Sequence, residues 1–167
     1  MMADFRELAE TLISVARLSG VTLEPTDITI ESLPAPHKRP RGIPSGKQVV
    51  YAFFLGFCCL KVGKAGPKTQ ARFTSQHYGE NAPSTLAKSI LKEKSLMSGL
   101  LEDGRRNEIE FLTSDSVGRW IETNTARVHV FIPVSVGPFI LGLFESFLQC
   151  RFNPLFECKS QETSVGA

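Results

Sequence analysis

Four side chains able to surround a phosphate, Tyr51, Lys61, Lys64 and Arg72, lie in the single stretch KQVVYAFFLGFCCLKVGKAGPKTQARFTSQHY, residues 47–78. A guanidinium grips two phosphoryl oxygens in a fork, ammonium groups supply point charge, and a phenol can donate, accept or relay a proton. Glu145 is the only acid between Asn124 and Glu157 and sits in an otherwise apolar run. If buried there, its carboxylate needs a cation, a metal ion or a hydrogen-bond donor. Each residue also has an ordinary reading. A tyrosine in an apolar strand is commonly core, surface lysines are commonly solvated, and Gly142, Glu145, Ser146 and Gln149 share one narrow helical face that could simply meet water.

The elements that would position these groups follow from periodicity. Residues 49–55 are β-branched and aromatic, Gly56 breaks the run, residues 58–62 resume it and Gly63 breaks it again, which predicts a hairpin. Thr69 can cap a short helix carrying Arg72 and ending near Tyr78-Gly79. His77 lies five residues past Arg72, roughly 140° around an ideal helix, so the two meet only if the chain has left the helix by then. Ser84 is read as the cap of a helix over residues 85–94, and residues 95–124 as a helical excursion holding the only tryptophan. Residues 126–134, ARVHVFIPV, alternate as a strand, with His129 a core or surface residue rather than a ligand. Ser135 and Pro138 open a helix through Arg151 that stops at Asn153-Pro154.

Upstream, residues 4–18 have the spacing of an amphipathic helix ended by Ser19-Gly20, and ITIE, residues 28–31, reads as a short strand. The segment SLPAPHKRPRGIPSGK is too rich in proline and glycine for a regular element and predicts an extended basic arm or linker. The resulting fold class is α+β: a small antiparallel three-stranded sheet flanked by helices, with an N-terminal helical appendage. Its divisions are residues 1–46, residues 47–157 and a flexible tail, residues 158–167.

Net charge is only +2, yet no Asp or Glu falls between Glu31 and Glu80, so the basic residues of that interval form a one-signed stretch suited to phosphate. Cys58, Cys59, Cys150 and Cys158 make no C-x-x-C pair, and adjacent cysteines on a strand point to opposite faces. Zinc and a disulfide framework are disfavoured, and buried reduced thiols are expected. The opening MMADFRELAE has acids where a signal peptide needs bases, and the most apolar run, residues 139–148, is too short to span a bilayer. The expectation is a soluble cytoplasmic protein with no membrane partner.

The order strand, strand, helix, helix, excursion, strand, helix, with these polar residues on it, resembles the GIY-YIG endonuclease family over roughly residues 47–156. Val49-Val50-Tyr51 stands where glycine-isoleucine-tyrosine is expected, and Lys61-Val62-Gly63 where tyrosine-isoleucine-glycine is expected. Arg72, His77, Glu145 and Asn153 follow in the family's order. The resemblance implies a metal-dependent endonuclease that hydrolyses DNA phosphodiester bonds with a single divalent cation, Mg²⁺ or Mn²⁺. Tyr51 would contact the attacking water as general base or relay, Arg72 would bind the scissile phosphate, and Glu145 would hold the metal. Lys61 replaces the second motif tyrosine and could favour the Tyr51 phenolate or accept its proton. His77 completes the catalytic set.

Lys64, Lys68, Lys38, Arg39, Arg41 and Asn153 are the expected nucleic-acid contacts. The alternatives are a binding module that keeps the scaffold without catalysis, and an RNA-cutting toxin or defence nuclease. DNA is the expected partner, RNA the other, with a second copy or a protein partner supplying target choice.

Overall fold

The computed structural model describes residues 5–157, so the tail expectation and Cys158 lie outside the described residues. Helix α1 (Phe5–Leu18) buries Leu8, Leu12 and Ala16 along one stripe, as its three-to-four spacing requires. Strand β1 (Thr29–Leu33) follows a short 3-10 turn. Residues 34–46 cross to β2 (Lys47–Leu55), and Gly56, in the left-handed region at φ 57°, turns the chain into β3 (Cys58–Ala65). Helix α2 (Gln70–Thr74) is brief and gives way to a 3-10 turn, Gln76–Tyr78.

Four short helices follow: α3 (Leu86–Lys92), α4 (Lys94–Ser98), α5 (Arg106–Glu110) and α6 (Val117–Asn124), the last carrying Trp120. Strand β4 (Ala126–Pro133) and helix α7 (Gly137–Phe152) close the fold. Asn153 ends α7 in the left-handed conformation, the helix stop its sequence predicts.

The α+β class holds, but the sheet has four antiparallel strands, in the order β1-β4-β2-β3, rather than three. The additional strand is β1, which pairs with the outer edge of β4 from Thr29 opposite Phe131 to Leu33 opposite Arg127. Five residues of weak alternation carry little local signal. A free edge of β4 supplies the hydrogen bonds that decide the matter. The N-terminal region is therefore continuous with the sheet. Its helix α1 packs with α7 on one face, against Val50, Ala52 and Val62. On the other face Tyr51 and Phe53 pack with Phe73, Leu86, Ile90, Ile109 and Ile121 from the shorter helices. Strand β2, covered on both sides, is for that reason a continuous apolar run.

Several local details depart from the sequence expectation: β3 runs on through Gly63, paired with Tyr51, to Ala65, and Thr69 precedes α2 without a side-chain cap bond. The cap of α3 is Thr85, whose hydroxyl accepts from the Lys88 amide, and Ser84 instead takes a left-handed φ of 55°. The β2–β3 register also shifts: Phe53 opposes Lys61 while Phe54 opposes Cys59, leaving Leu60 as an extra residue. That bulge returns Lys61 to the face occupied by Tyr51 and Phe53, since directly opposed residues share a face.

Candidate functional site

Tyr51 is fully buried in β2, with its ring passing directly over Gly63 on the neighbouring strand. Its hydroxyl lies 2.7 Å from His77 Nε2 and 3.4 Å from the Arg72 carbonyl oxygen. His77 reaches it because α2 stops at Thr74, so the chain has left the helix before His77, the condition its spacing set. The tautomer of His77 follows from its other nitrogen. Nδ1 accepts the Leu86 amide at 3.1 Å, and burial, reinforced by Lys61, Arg127 and Arg72, lowers the ring's pKa to about 3. The ring is neutral at ordinary pH, its proton sits on Nε2, and Nε2–H donates to the Tyr51 oxygen. His77 is thus a donor that orients the phenol, not a base awaiting its proton.

The phenol itself is held neutral. Burial pushes its pKa well above the ordinary range, against the pull of Arg72 and then Arg127, while Glu145 pushes the same way as burial. Among the groups acting on Tyr51, the leading cation is Arg72, which is exposed, and not Lys61.

The second half of the site lies around the edge strand β3. Lys61, nearly buried, places Nζ 3.4 Å from Glu157, whose other carboxylate oxygen accepts from Gln149 of α7. Burial pushes the Glu157 carboxyl up, and Lys61 and Gln149 pull it back. Glu157 arrives there because residues just past α7 bond to the open edge of β3: the Leu155 amide donates to the Cys59 carbonyl and the Phe156 amide to that of Leu60. On the α7 face, Lys64 Nζ stands 2.6 Å from Glu145, over the gap left by Gly142. Glu145 therefore presents its carboxylate to a cation already.

The remaining sequence candidates divide. Lys68, Lys38 and Arg41 are exposed. Arg39 is committed to Glu122 and stacks 4.5 Å over the Tyr78 ring. Its neighbour His37, read as part of an extended arm, is buried: Nδ1 lies 2.6 Å from the Thr125 carbonyl and Nε2 2.8 Å from the Tyr78 hydroxyl. Asn153 serves as the cap of α7. Cys59 is buried and its thiol is pushed up to about 12, whereas Cys150 is exposed, contrary to the expectation of uniformly buried thiols.

Two functional-looking residues were missed by sequence reasoning. Glu157 gave no signal, because its position depends on the chain beyond α7 returning to β3. Arg127 did give one. It alternates with His129 and Phe131 on β4, and Phe131 faces the core, so an arginine at the same phase must be buried with it.

Among the described residues no group of three His, Cys, Asp or Glu side chains could hold a metal. A hard ion such as Mg²⁺ is commonly held through one or two carboxylates, with water and substrate oxygens completing its shell, so Glu145 alone is a compatible donor. No helix among the described residues is long and apolar enough to cross a membrane. Set against known proteins, the chain matches no family model, no curated protein and no solved structure.

Proposed function

We propose that this chain is a GIY-YIG-type endonuclease that hydrolyses DNA phosphodiester bonds with one Mg²⁺ or Mn²⁺ ion. One observation carries the reading. The Tyr51 hydroxyl lies 2.7 Å from His77 Nε2, Arg72 and Glu145 both act electrostatically on that phenol, and Lys61 acts on the His77 ring. Arg72 receives the scissile phosphate in its fork. Tyr51, oriented by the His77 Nε2–H, keeps its own proton directed toward the long contact with the Arg72 carbonyl, the contact a water or phosphate oxygen would replace. Lys61 and Lys64 add positive charge for the phosphoryl oxygens. Glu145 would hold the ion, which when bound supplies charge stabilisation of the phosphoryl group and of the leaving oxygen.

A second reading, a binding module on the same scaffold, is favoured by two features: the Tyr51 phenol is held neutral by burial, and Lys61 is occupied by Glu157. Cleavage of supercoiled and branched DNA by wild type and Glu145→Gln, with Mg²⁺ or chelator, separates them. The nuclease reading expects cutting by wild type only with metal. It also expects a loss on the order of 100-fold or more in the variant, since a metal's charge stabilisation is worth several kcal/mol. Binding without cutting by either protein selects the module. Equal cutting by both removes Glu145 from the site, and cutting confined to RNA redirects the substrate.

A further inference from the structure

Arg127 has no exposed surface, and among the described residues no acid forms an ion pair with it. A guanidinium buried without a counter-ion is costly unless other groups take up its charge and its protons. Here rings do part of this. Its central carbon lies 4.5 Å from the Phe53 centroid, 4.9 Å from Phe73, 5.4 Å from Tyr51 and 5.9 Å from Tyr78. Nη1 donates to the Tyr78 hydroxyl at 2.8 Å and Nη2 to the Phe73 carbonyl at 3.0 Å, while Nε has no partner.

The two anchors are informative. Phe73 follows Arg72, and Tyr78 follows His77. The fork therefore grips the two ends of the turn that carries both candidate residues. Donor directions extend the tie. The Thr125 carbonyl can only accept, so His37 Nδ1 carries a proton and its Nε2 accepts from the Tyr78 hydroxyl, which accepts in turn from Arg127. The chain of bonds returns to Thr125, just before β4, and closes on the strand that holds Arg127.

We infer that Arg127 is a positioning residue of the site: a caged cation on β4 that fastens the Arg72–His77 turn beneath Tyr51. The inference deepens the nuclease reading and rests on it. A filler of the same cavity would pack as well without two-pronged donation, and lysine keeps the charge but loses the fork. The positioning role therefore distinguishes Arg127→Met from Arg127→Lys.

The test measures kcat and KM for Mg²⁺-dependent DNA cleavage in both variants, together with ring-nitrogen NMR of the histidines. The chain has only three histidines, His37, His77 and His129, so their signals are readily assigned. Arg127→Met is expected to lower kcat on the order of 100-fold with KM little changed, the size that a misplacement of about 1 Å can produce. Arg127→Lys is expected to recover part of that loss, and the His77 Nε2–H signal to move in both. A folded Arg127→Met protein with wild-type kcat and an unmoved His77 signal overturns the inference. If Arg127→Met does not fold, Arg127→Lys is judged by the same two readings. If wild type itself cuts nothing, the nuclease reading fails separately, and the His77 signal alone decides whether Arg127 positions the turn.

Discussion

All three histidines of this chain are buried, and their neutrality links the site to acid stability. Burial first, then nearby cations, lowers His77 and His129 to about 3, and burial also lowers His37. His129 is the plainest case. Neither ring nitrogen has a hydrogen-bond partner, and the Glu31 carboxylate, 3.7 Å from Nδ1, is too far for one. In the unfolded chain His77 and His129 take up protons below about pH 6.5, whereas in the folded protein they refuse them until about 3. The unfolded state therefore binds more protons across that window. Stability is fully present above about pH 6.5 and falls as the pH drops, by ~1.4 kcal/mol per pH unit for each such ring. His129→Phe keeps a ring between Phe73 and Phe131 without the nitrogens. Urea unfolding between about pH 6 and 5, above most carboxylate titration, should show a slope shallower by up to ~1.4 kcal/mol per unit in this variant. An unchanged slope would mean that His129 is already protonated in the fold.

At the scale of elements, the hairpin is the part whose geometry is least forgiving. A Cβ added at Gly63 would stand 2.8 Å from the Tyr51 hydroxyl and 2.9 Å from the ring carbon that bears it. Because Tyr51 is fully buried and bonded to His77, it cannot swing aside cheaply. Gly63→Ala is expected to cost about 1–3 kcal/mol in urea melts, the usual range for overpacking a core. On the nuclease reading it should also reduce DNA cleavage under conditions where the variant remains folded. A variant with wild-type stability and activity would show that Tyr51 is not held where the site needs it. The hairpin, β4 and α7 were legible because each is an apolar or alternating run bounded by a glycine, proline or asparagine. The cap at Thr85 was missed by one residue although its partner, the Lys88 amide, is local, whereas the bulge at Leu60 and the pairing of β1 with β4 were not legible because each is settled by a partner on another strand. Glu157 belongs with them: its place opposite Lys61 follows from Leu155 and Phe156 bonding to the edge of β3.

The whole molecule changes what the basic arm can be. Sequence composition made residues 32–47 an arm joining an appendage to a core, yet both ends of that arm are built in. Upstream, β1 is hydrogen-bonded to β4 and α1 supplies Leu8, Leu12 and Ala16 to the core. Within the arm, His37 and Arg39 are fixed against Tyr78, Thr125 and Glu122. Deleting residues 1–45 would remove a strand and six of the sixteen buried residues of one core layer, so a loss of DNA binding on deletion would report unfolding. Point substitutions at the exposed bases separate grip from folding. Lys38→Ser with Arg41→Ser should change the unfolding free energy by no more than surface substitutions usually do, about 0.5 kcal/mol each. If the arm follows the phosphate backbone, the pair should weaken binding to every duplex sequence alike. It should also reduce the slope of log affinity against log salt by roughly 2, near one unit for each phosphate that the variant no longer neutralises. An unaltered salt slope in a folded double variant would place the nucleic acid on the Lys64, Lys68 and Arg72 side alone. The arm would then be a strap that closes the back of the site through His37.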